Sequence, residues 1–167
     1  ITGRPAGWCD HIARMWPVRA VVGENGAFYY AYDRQARRMV THYWTDAASR
    51  QASRKQLDAI RDRVLAEVPG PPVASDQDYR VADLAIHFCE DVPPLPEADI
   101  GRIVRIFEDA GAQAKVSSIH VNGWFGDYDK LTMTRTLFQR EFGIDVASVL
   151  DSTLFIGDSP NDEPMFA

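Results

Sequence analysis

Two aspartates, Asp158 and Asp162, stand four positions apart in the stretch TLFIGDSPNDEPMFA (153–167), just after an apolar run and a glycine. Read as a buried strand, Leu154, Phe155 and Ile156 deliver Asp158 to the carboxyl end of a sheet, where open α/β folds bind ligands. Gly157 lets the backbone turn and approach a ligand, and the short SPN loop lets both acids reach one small volume. Two oxygen-donor acids in a cleft suit Mg2+, which takes carboxylate oxygens at about 2.0–2.1 Å and keeps several waters. Without a cation, acids this close repel. A plainer reading is a helix cap. Asp158 or Ser159 would cap a helix beginning at Pro160, with Asp162 favoured by its positive end.

The totals bound what such a site could serve. The 167 residues allow one domain or somewhat more, and 46% hydrophobic content supports a real core. The net charge is -6, with a pI of about 5.1 and no dense Lys/Arg block, so nucleic acid is excluded as a default partner. An acidic chain that handles phosphate needs a bound cation or local positive charge. No apolar run reaches the ~18 residues of a membrane span, and ITGRPAGW lacks the apolar stretch of a signal peptide. Cys9 and Cys89 are far apart without CxxC spacing, which predicts free thiols in a reducing compartment, the cytoplasm. His11, His42, His87 and His120 show no zinc-site spacing. Cys9, Asp10 and His11 are consecutive helix positions that point apart, so they form no nucleophile cluster.

The elements that must position the acids follow from periodicity. A short helix is expected over 10–16 and a buried strand over 18–22. A turn at Asn25-Gly26, suited to positive φ, leads into alternating runs at 27–32 and 39–44, a hairpin pattern. From a cap at Thr45 or Asp46 a helix should run to Glu67, with Leu57, Ile60 and Val64 at helical spacing. PGPP (69–72) breaks it. A strand over 79–89, a helix carrying Ile100, Ile103, Val104 and Phe107, and a strand over 115–121 follow. Asp129 caps a helix over 130–142, closed by Gly143, before the strand that ends at Gly157. The flanks read as parallel α/β. The block between them reads as an inserted α+β domain, giving a core of 1–25 and 123–167 around an insertion of 26–122. Asn25-Gly26 and Gly123 to Gly126 are the expected hinges.

Four motifs in this order resemble the haloacid dehalogenase-like phosphatases. GDSPND after an apolar strand is similar to their fourth motif and ITGR to their second. Lys130, opening a helix after GDYD, is similar to their third-motif lysine. ENGA (24–27) resembles the subgroup with a cap domain inserted between the second and third motifs, which includes Cof-type, sucrose-phosphate and mannosyl-3-phosphoglycerate phosphatases. The resemblance implies an α/β fold, a Rossmann-like core with an inserted α+β cap, and Mg2+-dependent hydrolysis of a small phosphorylated sugar or sugar-acid conjugate through an aspartyl-phosphate. It implies that Thr2 bonds a phosphate oxygen, Lys130 neutralises phosphate and nucleophile, Asp158 and Asp162 hold Mg2+ or its waters, and Asn161 orients the acids. The family's DxDGT motif occurs nowhere in this sequence. The resemblance puts that nucleophile upstream of Ile1, so the sequence is expected to be incomplete at both ends. The residues of this sequence, taken without a nucleophile, also fit a non-catalytic phosphate- and metal-binding module, and a phosphomutase shares the chemistry.

The remaining candidates concern the substrate. Gly3 and Arg4 follow Thr2, and Arg4 meets either substrate or a surface acid. Asn25, with Gly26, contacts substrate or only serves the turn. Alternation in 79–89 puts Leu84, Ile86 and Phe88 on one face and Asp83 and His87 on the other. In 115–122 it puts Val116, Ser118, His120 and Asn122 together. A polar sheet face carrying His87, His120 and Asn122 would read substrate hydroxyls, or would simply be solvated. Trp124 and Phe125 line a leaving-group pocket or pack. A small phosphorylated metabolite is the expected partner, with neither nucleic acid nor membrane.

Overall fold

The structure, a computed structural model, describes residues 1–70, 73–89 and 92–166, arranged as two compact units. The first comprises Ile1–Trp44 and Tyr128–Ala167, and the second Thr45–Asp127.

In the first unit, helix α1 (Ala6–Met15) precedes a three-stranded antiparallel sheet of β1 (Val21–Gly23), β2 (Phe28–Asp33) and β3 (Arg38–Tyr43). The expected hairpin is present, with Phe28 opposite Tyr43 and Asp33 opposite Arg38. Because β2 also pairs with β1, Val21 opposite Tyr30, residues 26–44 belong to this unit. The chain leaves it after Trp44 and re-enters at Tyr128, rather than turning off at Asn25-Gly26 or Gly123. Helix α4 (Lys130–Leu137) starts where Asp129 accepts the Thr132 N–H, and continues through a wider turn to Gly143, left-handed at φ 66°. Met133 and Leu137 pack with Val22 and Tyr29 into a small core.

Residues 153–157 correct an expectation. They form no strand, and Leu154 and Ile156 are 83% and 84% exposed. Among the described residues no strand lies alongside them, so their backbone has no ladder to join. For the same reason the expected parallel pairing is absent among the described residues; both sheets are antiparallel.

In the second unit, α2 (Ala47–Glu67) is capped by Asp46, which accepts the Ser49 N–H at 2.8 Å. Gly70 takes φ +78° after it, and Pro71 and Pro72 of the PGPP break lie outside the described residues. Strand β4 (Asp83–His87), α3 (Glu97–Asp109), β5 (Gln113–Val116) and β6 (His120–Trp124) complete the unit, with sheet order β4-β6-β5. Leu57, Ile60 and Val64 of α2 and Ile103, Ile106 and Phe107 of α3 pack on Leu84, Ile86 and Val121. Burying each such side chain stabilises by about 1.5–3 kcal/mol. Gly123 lies within β6 because the Phe107 ring packs on it: a Cβ there would sit 2.1 Å from that ring.

The expected strand over 115–121 is instead two strands and a turn. The Ser117 hydroxyl donates to the His120 carbonyl and accepts the His120 N–H, reversing the chain. Val116 therefore packs on the core while His120 lies on the other face. The open edge of β4 is covered by a side chain imitating a strand. Gln77 donates to the Asp83 carbonyl at 3.0 Å and accepts the Ala85 N–H at 2.9 Å.

Candidate functional site

The first unit gathers side chains from three distant stretches. β1 ends in a turn where Asn25 takes φ 57° and Gly26 φ 110°, a conformation Asn and Gly tolerate. Gly26 also has no room for a side chain: a Cβ would lie 2.1 Å from the Asp129 carbonyl oxygen. That close approach sets the β1 end against the start of α4, and so against Lys130.

Lys130 is buried, and its ammonium donates to Asp162 Oδ1 at 2.6 Å and to Asn161 Oδ1 at 3.0 Å. Asn161 Nδ2 in turn donates to Asn25 Oδ1 at 3.0 Å. The backbone N–H of Asn25 donates to the Thr2 carbonyl at 3.3 Å, and the Thr2 N–H to the Val22 carbonyl at 2.9 Å. Gly3 lies beside the same amide, its missing Cβ being 2.9 Å from Asn25 Oδ1. Thr2, Gly3, Asn25, Lys130, Asn161 and Asp162 thus form one network.

Asp162 also explains the GDSPND corner. Its Oδ2 accepts the N–H groups of Asp158 and Ser159, each at 3.2 Å. Asp162 thus reaches back along the chain to close the loop, a cap in the reverse direction. Gly157 is bare because a Cβ there would be 2.8 Å from the Asp162 side chain. Burial alone would push the Asp162 carboxyl up. The hydrogen bond and charge of Lys130, with the two loop N–H groups, outweigh it and hold the carboxyl below its ordinary value.

Asp158 itself is exposed. Among the described residues no three His, Cys, Asp or Glu side chains are grouped to hold a metal ion. The two acids fit Mg2+ as a partial donor set. Asp158 offers an exposed carboxylate, while both oxygens of Asp162 are already hydrogen-bonded and suit the metal's waters better than its inner shell.

Thr2 Oγ1 accepts the Arg4 N–H at 3.1 Å, which leaves its own proton to donate. Arg4 is exposed. Glu24, which the sequence reading passed over, is fully buried and accepts the Ala6 N–H at 2.9 Å. With the Glu24 N–H on the Arg4 carbonyl at 3.2 Å, it ties the Thr2 loop and the start of α1 to the end of β1. An acid directly before Asn-Gly, in ENGA, was the available signal.

His87, His120 and Asn122 belong to the second unit, on the sheet face opposite its core. They are buried rather than solvated. Asn122 Nδ2 donates to Asp83 Oδ2 at 3.1 Å, and Asp83 accepts both 2.9 and 3.0 Å bonds from Arg80. His87 and His120 are cross-strand partners with ring centroids 4.4 Å apart. His87 Nε2 accepts the Ser75 N–H at 3.4 Å, which puts the proton of the neutral ring on Nδ1. That buried Nδ1 has no acceptor among the described residues. Trp124 is buried on the same face, and Phe125 packs against the apolar core. Neither cysteine forms a disulfide, and among the described residues no helix is long and apolar enough to cross a membrane.

Three solved structures share this fold. The C-terminal domain of trehalose-6-phosphate phosphatase from C. albicans matches with a TM-score of 0.68 at 15% identity, over 99% of this chain and 57% of that one. A Thermoplasma acidophilum protein matches with a TM-score of 0.67 at 19% identity, over 98% of this chain and 62% of that one. Sucrose-phosphatase from Synechocystis, in complex with sucrose and phosphate, matches with a TM-score of 0.66 at 21% identity, over 99% of this chain and 63% of that one. The chain therefore spans less than two thirds of the length of these structures. No family model matches the sequence, and no curated protein matches it. The chain shares the fold of these structures, a mixed helix-and-sheet architecture in two units.

Proposed function

We propose that the protein is a Mg2+-dependent phosphatase, a phosphoric monoester hydrolase acting on a small phosphorylated sugar or sugar-acid conjugate. Its nucleophile would be an aspartate upstream of Ile1, carrying the phosphoryl group between two easier steps. The observation that supports this best is the network joining Thr2, Asn25, Lys130, Asn161 and Asp162, a buried cation and oriented polar groups around one place in an acidic chain.

Phosphoryl transfer needs mostly positioning and charge stabilisation. Lys130 would supply fixed positive charge to the phosphoryl oxygens, held in place by Asp162 and Asn161. Thr2 would donate its hydroxyl proton to one of those oxygens. Asp158, with Asp162 in support, would hold Mg2+, which polarises the phosphoryl group when bound. The reading of the sugar is assigned to His87, His120 and Asn122. The uncapped N–H of His87 Nδ1 supports that role, since a substrate hydroxyl would satisfy it. The unbridged cysteines are compatible with a cytoplasmic setting.

A panel of phosphorylated sugars and sugar acids, incubated with the full-length protein with and without Mg2+, tests the reading. Mg2+-dependent release of inorganic phosphate from a subset of the panel is expected. Release from none of them would reject it.

A further inference from the structure

The hydrogen-bond network has a direction, and the direction singles out one atom. The Lys130 ammonium is a donor only. Its bond at 3.0 Å therefore fixes the Asn161 oxygen as acceptor and turns the Asn161 NH2 outward. That NH2 donates to Asn25, which fixes the Asn25 oxygen as acceptor too. Neither amide can be flipped without setting two donors against each other. What remains is Asn25 Nδ2, a donor by necessity, in a residue only 2% exposed. It has no acceptor among the described residues.

A buried amide donor left unsatisfied is costly, and native structures rarely tolerate one without a reason. Here the surroundings hold the amide still instead of letting it turn to water. Gly3 abuts its oxygen, its backbone sits at φ 57°, and Gly26 next to it is pressed on the Asp129 carbonyl. The group that would satisfy a rigid N–H at the end of a hydrogen-bond chain that begins at a lysine ammonium is an anionic oxygen.

We infer that Asn25 Nδ2 is a donor to a phosphoryl oxygen of the ligand, its polarity set by Lys130 through Asn161. The inference rests on the phosphatase reading and sharpens it. Asn25 becomes a phosphate-binding residue rather than a turn residue or a reader of the sugar. Lys130 then acts on phosphate twice, directly as a charge and at one remove by orienting this amide.

The test uses the full-length protein with inorganic phosphate as the probe. The side-chain NH2 resonances of Asn25 are followed by 1H–15N NMR during titration, and the dissociation constant is measured by calorimetry for the wild type and for Asn25→Asp and Asn25→Ala. Asn25→Asp keeps the oxygen that accepts from Asn161 and tolerates positive φ, so its unfolding midpoint checks that the fold survives. We expect the Asn25 NH2 signals to move downfield on phosphate binding, and both variants to bind phosphate about tenfold or more weakly, the loss of one charge-assisted hydrogen bond. Unmoved NH2 signals at saturating phosphate, or an Asn25→Ala protein that binds phosphate as the wild type does, would overturn the inference while leaving the phosphatase reading intact. Failure of the wild type itself to bind phosphate would overturn both.

Discussion

The Lys130 ammonium lies 2.6 Å from Asp162 Oδ1, in a pair whose side chains are 5% and 10% exposed, although the two residues are 32 positions apart. The contact joins the start of α4 to the loop after Gly157. The ordering of the proposed site depends on it.

Removing one partner of that pair should cost more than removing both. Lys130→Met leaves Asp162 buried without its cation, and we expect a loss of about 3 kcal/mol in urea unfolding. Adding Asp162→Asn to it should recover part of that loss, giving a coupling well above the scatter expected of independent sites. Additive losses would show that the pair contributes nothing as a pair.

Acid should weaken the same loop. The Asp162 carboxyl titrates below its ordinary 3.8 in the folded chain. A depressed carboxyl contributes stability that is complete above the unfolded value and is lost as pH falls through the folded one. The stability gap between the wild type and Asp162→Asn should therefore be constant near neutrality. It should close as pH drops below about 4. Denaturant titrations at a series of pH values check this, and a gap that widens in acid contradicts it.

Two glycines with positive φ should respond differently to alanine. At Gly26 the new methyl meets the Asp129 carbonyl at 2.1 Å, so both backbone strain and a backbone clash apply. At Gly143 nothing lies within 4 Å, and only the φ penalty remains. Thermal unfolding should show a loss of about 1 kcal/mol for Gly143→Ala. Gly26→Ala should lose severalfold more, through displacement of the Asp129 cap as well as the φ strain.

Gln77→Ala should open one edge of the second unit's sheet. It strips the partner from the Ala85 N–H, at about 1–3 kcal/mol for the donor left unpaired, while the Asp83 carbonyl keeps its bond from Arg54. Hydrogen exchange at Ala85 should quicken while Val121, paired inside the sheet, keeps its protection. Unchanged exchange at Ala85 would mean that the side chain does not serve as a strand.

Much of the frame was legible because it is written in local signals. The caps at Asp46 and Asp129, the hairpin, the Asn25-Gly26 turn and the apolar stripes of α2 and α3 each depend on a few neighbouring residues. The failures share a cause. Leu154 to Ile156 look like a strand, but a strand needs a partner, and partnership is not a property of the run itself. Ser117 and Ser118 look tolerable within a strand, but the Ser117 hydroxyl serves the His120 backbone and turns the chain. For the site, motif order brought Thr2, Lys130, Asn161 and Asp162 into consideration together. The reach of Glu24 to Ala6 is tertiary, while the reversed cap of Asp162 and the Gln77 and Arg80–Asp83 contacts are local pairings of single side chains; none leaves a periodic trace.

We propose that the Lys130–Asp162 corner serves phosphoryl transfer with Mg2+ held at Asp158. The most direct measurement is kcat/KM for phosphate release from the preferred phosphorylated sugar by the full-length protein, wild type against Asp158→Asn, across a Mg2+ titration. Asp158 is exposed, so the substitution should leave the fold unchanged. We expect a wild-type rate that requires Mg2+ and a loss of at least about 100-fold in the variant, on the scale of removing one group that stabilises transition-state charge. A variant that keeps wild-type kcat/KM, or a wild type indifferent to Mg2+, would contradict it.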